Sequence, residues 1–134
     1  MNIKQARVMV VEDERIMSTF ILASLRRIGI LDLFAFEDAE SALKEIGKIK
    51  PDLVLTDIHM QPMSGLDMVR EMRASADEKV NGLPVIFLSA DSSAATVGET
   101  LPLGIAGYIV KPPNMAALQA RIEHALKGYQ TTVF

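Results

Sequence analysis

Residues 53–60 read LVLTDIHM, an apolar run that ends in an acid. Such a run predicts a strand buried on both faces of a parallel sheet, yet it closes on Asp57, a residue type almost never buried without a partner. A helix cap, a metal ion, a cationic side chain or covalent chemistry would each justify a carboxylate there. The choice depends on what the rest of the chain brings beside it.

Four other segments share this character: Arg7 to Val11, Leu33 to Phe36, Pro84 to Leu88 and Tyr108 to Val110. Between them, apolar residues recur at three- and four-residue spacing. Met17, Ile21, Leu25 and Ile28 form one stripe, and Ala39, Leu43 and Ile46 a second. Leu66, Val69 and Met72 form a third, and Met115, Leu118, Ile122 and Ala125 a last. Each stripe is one face of an amphipathic helix, and strands alternating with helices predict an α/β fold. We expect a five-stranded parallel sheet, doubly wound with five helices.

Local signals mark the helix ends. The stretch SGLD, Ser64 to Asp67, is a capping-box pattern; Asp38 and Asn114 suit N-caps, and Gly29 and Gly128 suit stops. The segment between strands four and five, DSSAATVGETLPLGIAG, places Gly98 inside the fourth helix and Pro102 at its end. Glycine costs about 1 kcal/mol relative to alanine in a helix interior, so this helix is expected to be the least stable.

With 134 residues, 49% hydrophobic and 23% charged, the chain fits one domain with a single core. Residues 1–127 are expected to form it and 128–134 to be a tail or the start of a linker. The formal net charge of -3, with no cluster of lysine and arginine, argues against a nucleic-acid surface. The absence of cysteine excludes a disulfide framework, a thiolate zinc site and a cysteine nucleophile. It also suits a reducing compartment, and a cytoplasmic location is the expectation. The N-terminal MNIKQARVMVVED meets acids too soon for a signal h-region, and no run approaches a membrane span.

Ligands of open parallel α/β sheets bind outside the carboxyl ends of the strands. Strand one ends in Glu12 and Asp13, strand three in Asp57, strand four in Ser89 and strand five in Lys111. The second strand offers nothing comparable and is expected at an edge far from the site. Like charges about 4 Å apart repel by roughly 4 kcal/mol at an effective dielectric of 20, so converging acids need a cation or a proton. All-oxygen ligands favour a hard divalent ion, Mg²⁺ above all. Lys111 is the only basic residue between Lys79 and Arg121, and it asks for an anion. With the Ser89 hydroxyl these are the parts that phosphoryl transfer to an aspartate requires.

Through VVED at 10–13, LVLTDIHM with the following Gly65, IFLSA at 86–90 and GYIVKP at 107–112, the chain resembles the CheY-like receiver domain of two-component response regulators. The resemblance runs from Arg7 to about Leu126 and implies the flavodoxin-like strand order 2-1-3-4-5. It further implies that Asp57 is the phosphoacceptor, served by the phosphohistidine of a sensor histidine kinase or phosphotransfer protein. Mg²⁺, with Mn²⁺ as a substitute, would be held by Asp13, Asp57 and the main-chain carbonyl of His59, with Glu12 acting through a metal-bound water. Ser89 and Lys111 would bind phosphoryl oxygens, and Tyr108 would be the aromatic switch. Lys111-Pro112 would be a cis peptide, and the His59 and Asp91 side chains would set how fast the phosphoryl group is lost.

By the same resemblance, switching would reshape the face made by the fourth helix, fifth strand and fifth helix. That face would act on an output domain or target protein, or form a homodimer on phosphorylation, with no membrane or nucleic acid touched by this domain directly. The domain would catalyse only its own phosphorylation and dephosphorylation. Departures are Pro62, one residue later than the commoner position, Glu12 where aspartate is frequent, and the second proline, Pro113.

Two other classes compete. One is a receiver-like interaction module that binds partners regardless of phosphorylation; the other is a phosphohydrolase acting on a small metabolite, for which no separate general acid/base is evident. Individually, the residues also have plainer readings. Asp13 would cap the first helix, Lys111 would snorkel at the surface, His59 and His124 would be solvated, and the methionines would fill the core.

Overall fold

Alternate side chains of a strand face opposite sides of its sheet, so a strand apolar at every position needs helices on both faces. The computed structural model describes residues 2–127 and builds that arrangement. Strands β1 (Arg7–Val11), β2 (Asp32–Phe36), β3 (Leu53–Thr56), β4 (Val85–Ser89) and β5 (Gly107–Val110) form one parallel sheet in the order β2-β1-β3-β4-β5. Val10 lies beside Leu55, Leu55 beside Ile86, and Ile86 beside Gly107. On one face Val8, Val10, Leu53, Leu55, Ile86 and Leu88 pack with α1 (Arg15–Ile28) and α6 (Met115–Leu126). On the other, Met9, Val11, Val54, Val85 and Phe87 pack with α2 (Ala39–Ile49) and α3 (Gly65–Ala74).

The helix ends follow their local chemistry. Asp38 accepts from the Ser41 amide at 2.7 Å, and Asn114 from the Ala116 and Ala117 amides at 2.8 and 3.2 Å. The capping box at Ser64 closes on one side only. Ser64 accepts from the Asp67 amide at 3.1 Å, but the Asp67 carboxylate turns to Arg70 at 2.9 Å. Gly29 ends α1 in the left-handed region at φ 110°, which glycine adopts without a Cβ penalty. The stop at Gly128 and the tail 128–134 lie outside the described residues.

One element departs from expectation. A single-turn helix, α4 (Glu78–Asn81), follows α3; Asp77 caps it by accepting from the Lys79 amide, and only Val80 is buried. One turn has no period, which is why apolar spacing did not reveal it. The fourth helix of the prediction is therefore α5 (Ala94–Thr100), followed by a 3₁₀ turn at Leu101–Leu103, and the fifth is α6. Lys111-Pro112 is cis as the resemblance implies, and Gln61-Pro62 is cis as well. Among the described residues no helix is long and apolar enough to cross a membrane.

Candidate functional site

The sheet order places the acids. β1 and β3 are neighbours with Val11 beside Thr56, so the residues that follow each strand emerge together. The Asp57 amide donates to the Val11 carbonyl at 3.1 Å, and Glu12, Asp13 and Asp57 bring ligand oxygens within 4.8 Å of one another. Glu12 and Asp57 are buried while Asp13 is exposed. The turn after Asp57 is fixed from below by Gly65, whose amide donates to the Ile58 carbonyl at 2.7 Å. A Cβ at Gly65 would sit 1.9 Å from the Asp57 carbonyl oxygen, so only glycine lets α3 start this close to the acid.

Lys111 directly follows β5, on the far side of β4. Its amide donates to the Ser89 carbonyl at 2.9 Å, and its side chain reaches past the end of β4 to Glu12 Oε1 at 2.5 Å and Asp57 Oδ2 at 3.0 Å. The side chain is only 10% exposed, which sets aside the snorkelling reading. Burial alone would lower the pKa of the ammonium, but the hydrogen bonds to Glu12 and Asp57 and their attraction outweigh it and hold the group above its ordinary value. Burial likewise raises the Glu12 carboxyl, against the pull of Lys111 and the Glu14 amide. Both Glu12 oxygens are engaged, since Oε2 accepts from the Glu14 amide at 3.1 Å. Both Asp57 oxygens are as well, because Oδ1 accepts from the Ile58 amide at 2.7 Å.

Asp13 does not cap α1. The N-cap residue is Glu14, with no side-chain cap hydrogen bond, so the plainer reading of Asp13 finds no support. The acidic cluster is all oxygen, with no thiolate and no imidazole among its members, and its chemistry fits the Mg²⁺ site of a receiver domain.

A second network crosses the mouth of the site. The Ser89 hydroxyl accepts from the Asp91 amide at 3.1 Å, and the Asp91 carboxylate meets His59 Nε2 at 2.9 Å. The same carboxylate accepts from the Ser93 amide at 2.9 Å and the Thr96 hydroxyl at 2.7 Å. These bonds hold the Asp91 carboxyl well below the usual carboxylate range, the Ser93 amide contributing most. Tyr108, half-buried against Phe87, donates its hydroxyl to the Asp91 carbonyl, and burial raises its phenol.

Two features were not anticipated. The end of β2 is not remote from the site. It pairs with β1, Val11 beside Phe36, and the Glu12 amide donates to the Phe36 carbonyl at 3.0 Å. Ala35, Phe36 and Glu37 consequently line, with Asp13 and Arg15, a depression of about 230 Å³ beside the acids. The other is Thr96, which joins the mouth network although nothing marked it as functional. The spacing Asp91, Ser93, Thr96 ahead of a helix is the only signal, a pattern of local side-chain caps. His124 is exposed, as expected, and Met9, Met60, Met68 and Met72 are in the core, whereas Met115, at the first turn of α6, is exposed rather than part of the helix's apolar stripe.

Residues 8–123 match the family model of the response regulator receiver domain. The chain is 31% identical over 120 residues to chemotaxis protein CheY-3 of Vibrio cholerae, covering 90% of this chain and 91% of that protein. It is 31% identical over 117 residues to chemotaxis protein CheY of Pseudomonas aeruginosa, covering 87% and 93%. Among solved structures, the chemotaxis response regulator CheY4 of Vibrio cholerae superimposes with a TM-score of 0.80 over 90% of this chain and 98% of that one, at 24% identity, a likeness of fold.

Proposed function

The chain belongs to the response regulator receiver domain family, the switches of two-component signalling, and from that membership we propose that Asp57 accepts a phosphoryl group from the phosphohistidine of a kinase or phosphotransfer protein. One observation supports this reading above the others: Asp57 is a nearly buried carboxylate at a strand end, with a buried ammonium 3.0 Å away and two more acids alongside. A structural acid would need the ammonium alone.

In the reaction, a carboxylate oxygen of Asp57 forms a bond to phosphorus as the bond to the donor imidazole nitrogen breaks, and the imidazole leaves with the electron pair. Loss of the group is the attack of water on the same phosphorus, which releases inorganic phosphate and restores Asp57. Lys111, already poised between Asp57 and Glu12, turns to the transferred oxygens and offsets their charge. Ser89 supplies a hydroxyl to the same oxygens. Asp13, Asp57 and the His59 carbonyl would hold Mg²⁺, with Glu12 through a water, and the ion would neutralise charge that builds on the reacting oxygens. His59 and Asp91, facing each other at the mouth, govern the approach of water and so the lifetime of the acyl phosphate.

Receiver domains work with histidine kinases, and the switching face of this one is α5, β5 and α6, with Tyr108 beneath it. The domain takes in residues 1–127, acts in the cytoplasm, and signals to an output domain or separate target. The reading is tested by intact mass after incubation with acetyl phosphate, with and without Mg²⁺. A single Mg²⁺-dependent phosphoryl adduct, absent from Asp57→Asn, is expected. An adduct that persists in Asp57→Asn would refute it, and failure to bind both phosphoryl group and beryllofluoride would favour a module that works without phosphorylation.

A further inference from the structure

Helix α5 is held in place by polar ties more than by the core. Of its seven residues only Thr100 is buried, and Ala94, Ala95, Gly98 and Glu99 are exposed. Beyond its C-terminal end the chain is fastened by Arg73 of α3, whose guanidinium donates to the Leu103 carbonyl at 2.7 Å and the Asn81 carbonyl at 3.0 Å. At its N-terminal end the fastening is shared: the Ser93 hydroxyl, as N-cap, accepts from the Thr96 amide at 3.3 Å, and the Asp91 carboxylate binds the amide of that cap residue and the Thr96 hydroxyl of the first turn. That same carboxylate holds His59, in the loop that follows Asp57. Its own amide is bound to the buried Ser89 Oγ, at the end of β4.

We propose that Asp91 is the positioning residue through which the pocket controls α5, its side chain tying the first turn of the helix to the His59 loop while its amide rides on the Ser89 hydroxyl. This rests on Asp57 being phosphorylated. When Ser89 Oγ turns to a phosphoryl oxygen, it gives up the Asp91 amide. Asp91 then shifts as a unit, and with so little apolar burial to oppose the movement, the first turn of α5 moves with it. Thr96 is the receiving end of the tie. The carbonyl of Asp91 carries the Tyr108 hydroxyl, so helix and aromatic side chain respond to one displacement.

Asp91→Ala and Thr96→Val test this, because both spare the backbone contacts of Asp91 with Ser89 and Tyr108 and neither opens the core. The measurement is amide hydrogen exchange across residues 94–100, at rest and with Mg²⁺ and beryllofluoride, with adduct occupancy read in parallel by ¹⁹F NMR. At rest both variants should exchange roughly tenfold faster than wild type in α5, the loss of one or two hydrogen bonds, with α6 unchanged. Beryllofluoride should change α5 exchange in wild type and leave it unchanged in the variants, although they bind the adduct. Resting exchange equal to wild type in both variants would overturn the tether. An adduct response as large in the variants as in wild type would overturn the coupling and leave Asp91 a merely structural residue. Failure of wild type to bind beryllofluoride or take phosphate would instead bring down the phosphoacceptor reading and the coupling together, while the resting comparison still decides the tether.

Discussion

Replacing Gly65 by alanine should damage the site through a single methyl group. In an open helical position alanine would gain up to about 1 kcal/mol over glycine, so any loss here is steric. The new Cβ would lie 1.9 Å from the Asp57 carbonyl oxygen, 2.9 Å from its carbon and 3.1 Å from the Ile58 Cα. Every one of these is main chain, so no side chain can swing away. To reach even 3.0 Å, the shortest contact must open by about 1.1 Å. That movement also strains the 2.7 Å bond from the Gly65 amide to the Ile58 carbonyl. Overpacking costs about 1–3 kcal/mol, and a lost hydrogen bond about 1 kcal/mol. Gly65→Ala should therefore lose about 2–4 kcal/mol in urea denaturation, seen as a lower midpoint at unchanged slope. Because the opening falls on the turn that carries Asp57, adduct formation from acetyl phosphate should slow by about a hundredfold, the cost of misplacement on the order of 1 Å. A variant as stable as wild type would refute the close approach.

Gly98→Ala should do the opposite, because its Cβ would meet nothing within 4 Å; we expect a gain of about 0.5–1 kcal/mol and slower exchange in α5, and a loss would mean that the helix needs its glycine for packing. Lys111→Met leaves Glu12 and Asp57 buried without their cation and should cost about 3 kcal/mol at pH 7, a deficit that shrinks as acid protonates the two carboxyls. In wild type the Lys111 pKa is raised above 10.5, so its stabilisation is complete below that pH and disappears as pH rises through the folded value. The variant should lack that alkaline loss, and parallel pH–stability curves would contradict the ion pair. Added Mg²⁺ should raise the melting temperature of wild type, by about 2.7 kcal/mol equivalent at a hundredfold excess over Kd. Chelator should reverse the gain and Asp13→Asn should abolish most of it, whereas an equal gain in Asp13→Asn would place the ion elsewhere.

Strand ends carried most of what the sequence could tell. An apolar run ending in an acid is a physical contradiction unless a partner waits, and the neighbours β1 and β3 bring Glu12 and Asp13 to Asp57. Lys111 was legible as an isolated cation at a strand end. Its choice of Glu12, ninety-nine positions away, was not, because that contact depends on the reach of a side chain past β4. Helix α4 stayed hidden because one turn has no period. The approach of Phe36 and Glu37 to the acids follows from β2 pairing with β1, a fact of topology that the residues of β2 do not announce. The mouth network escaped for another reason: Asp91, Ser93 and Thr96 are ordinary turn residues, and only the placed helix aims two of them at the same carboxylate.

Asp57 as the atom-level acceptor is the centre of the account, and borohydride trapping tests it most directly. Hydride reduces an aspartyl phosphate to homoserine, so the modified position can be read by peptide sequencing after incubation with acetyl phosphate and Mg²⁺. Homoserine at position 57, absent when Mg²⁺ is withheld, is the predicted result. Homoserine at Asp13 or another aspartate, or a phosphorylated protein that yields none, would contradict it.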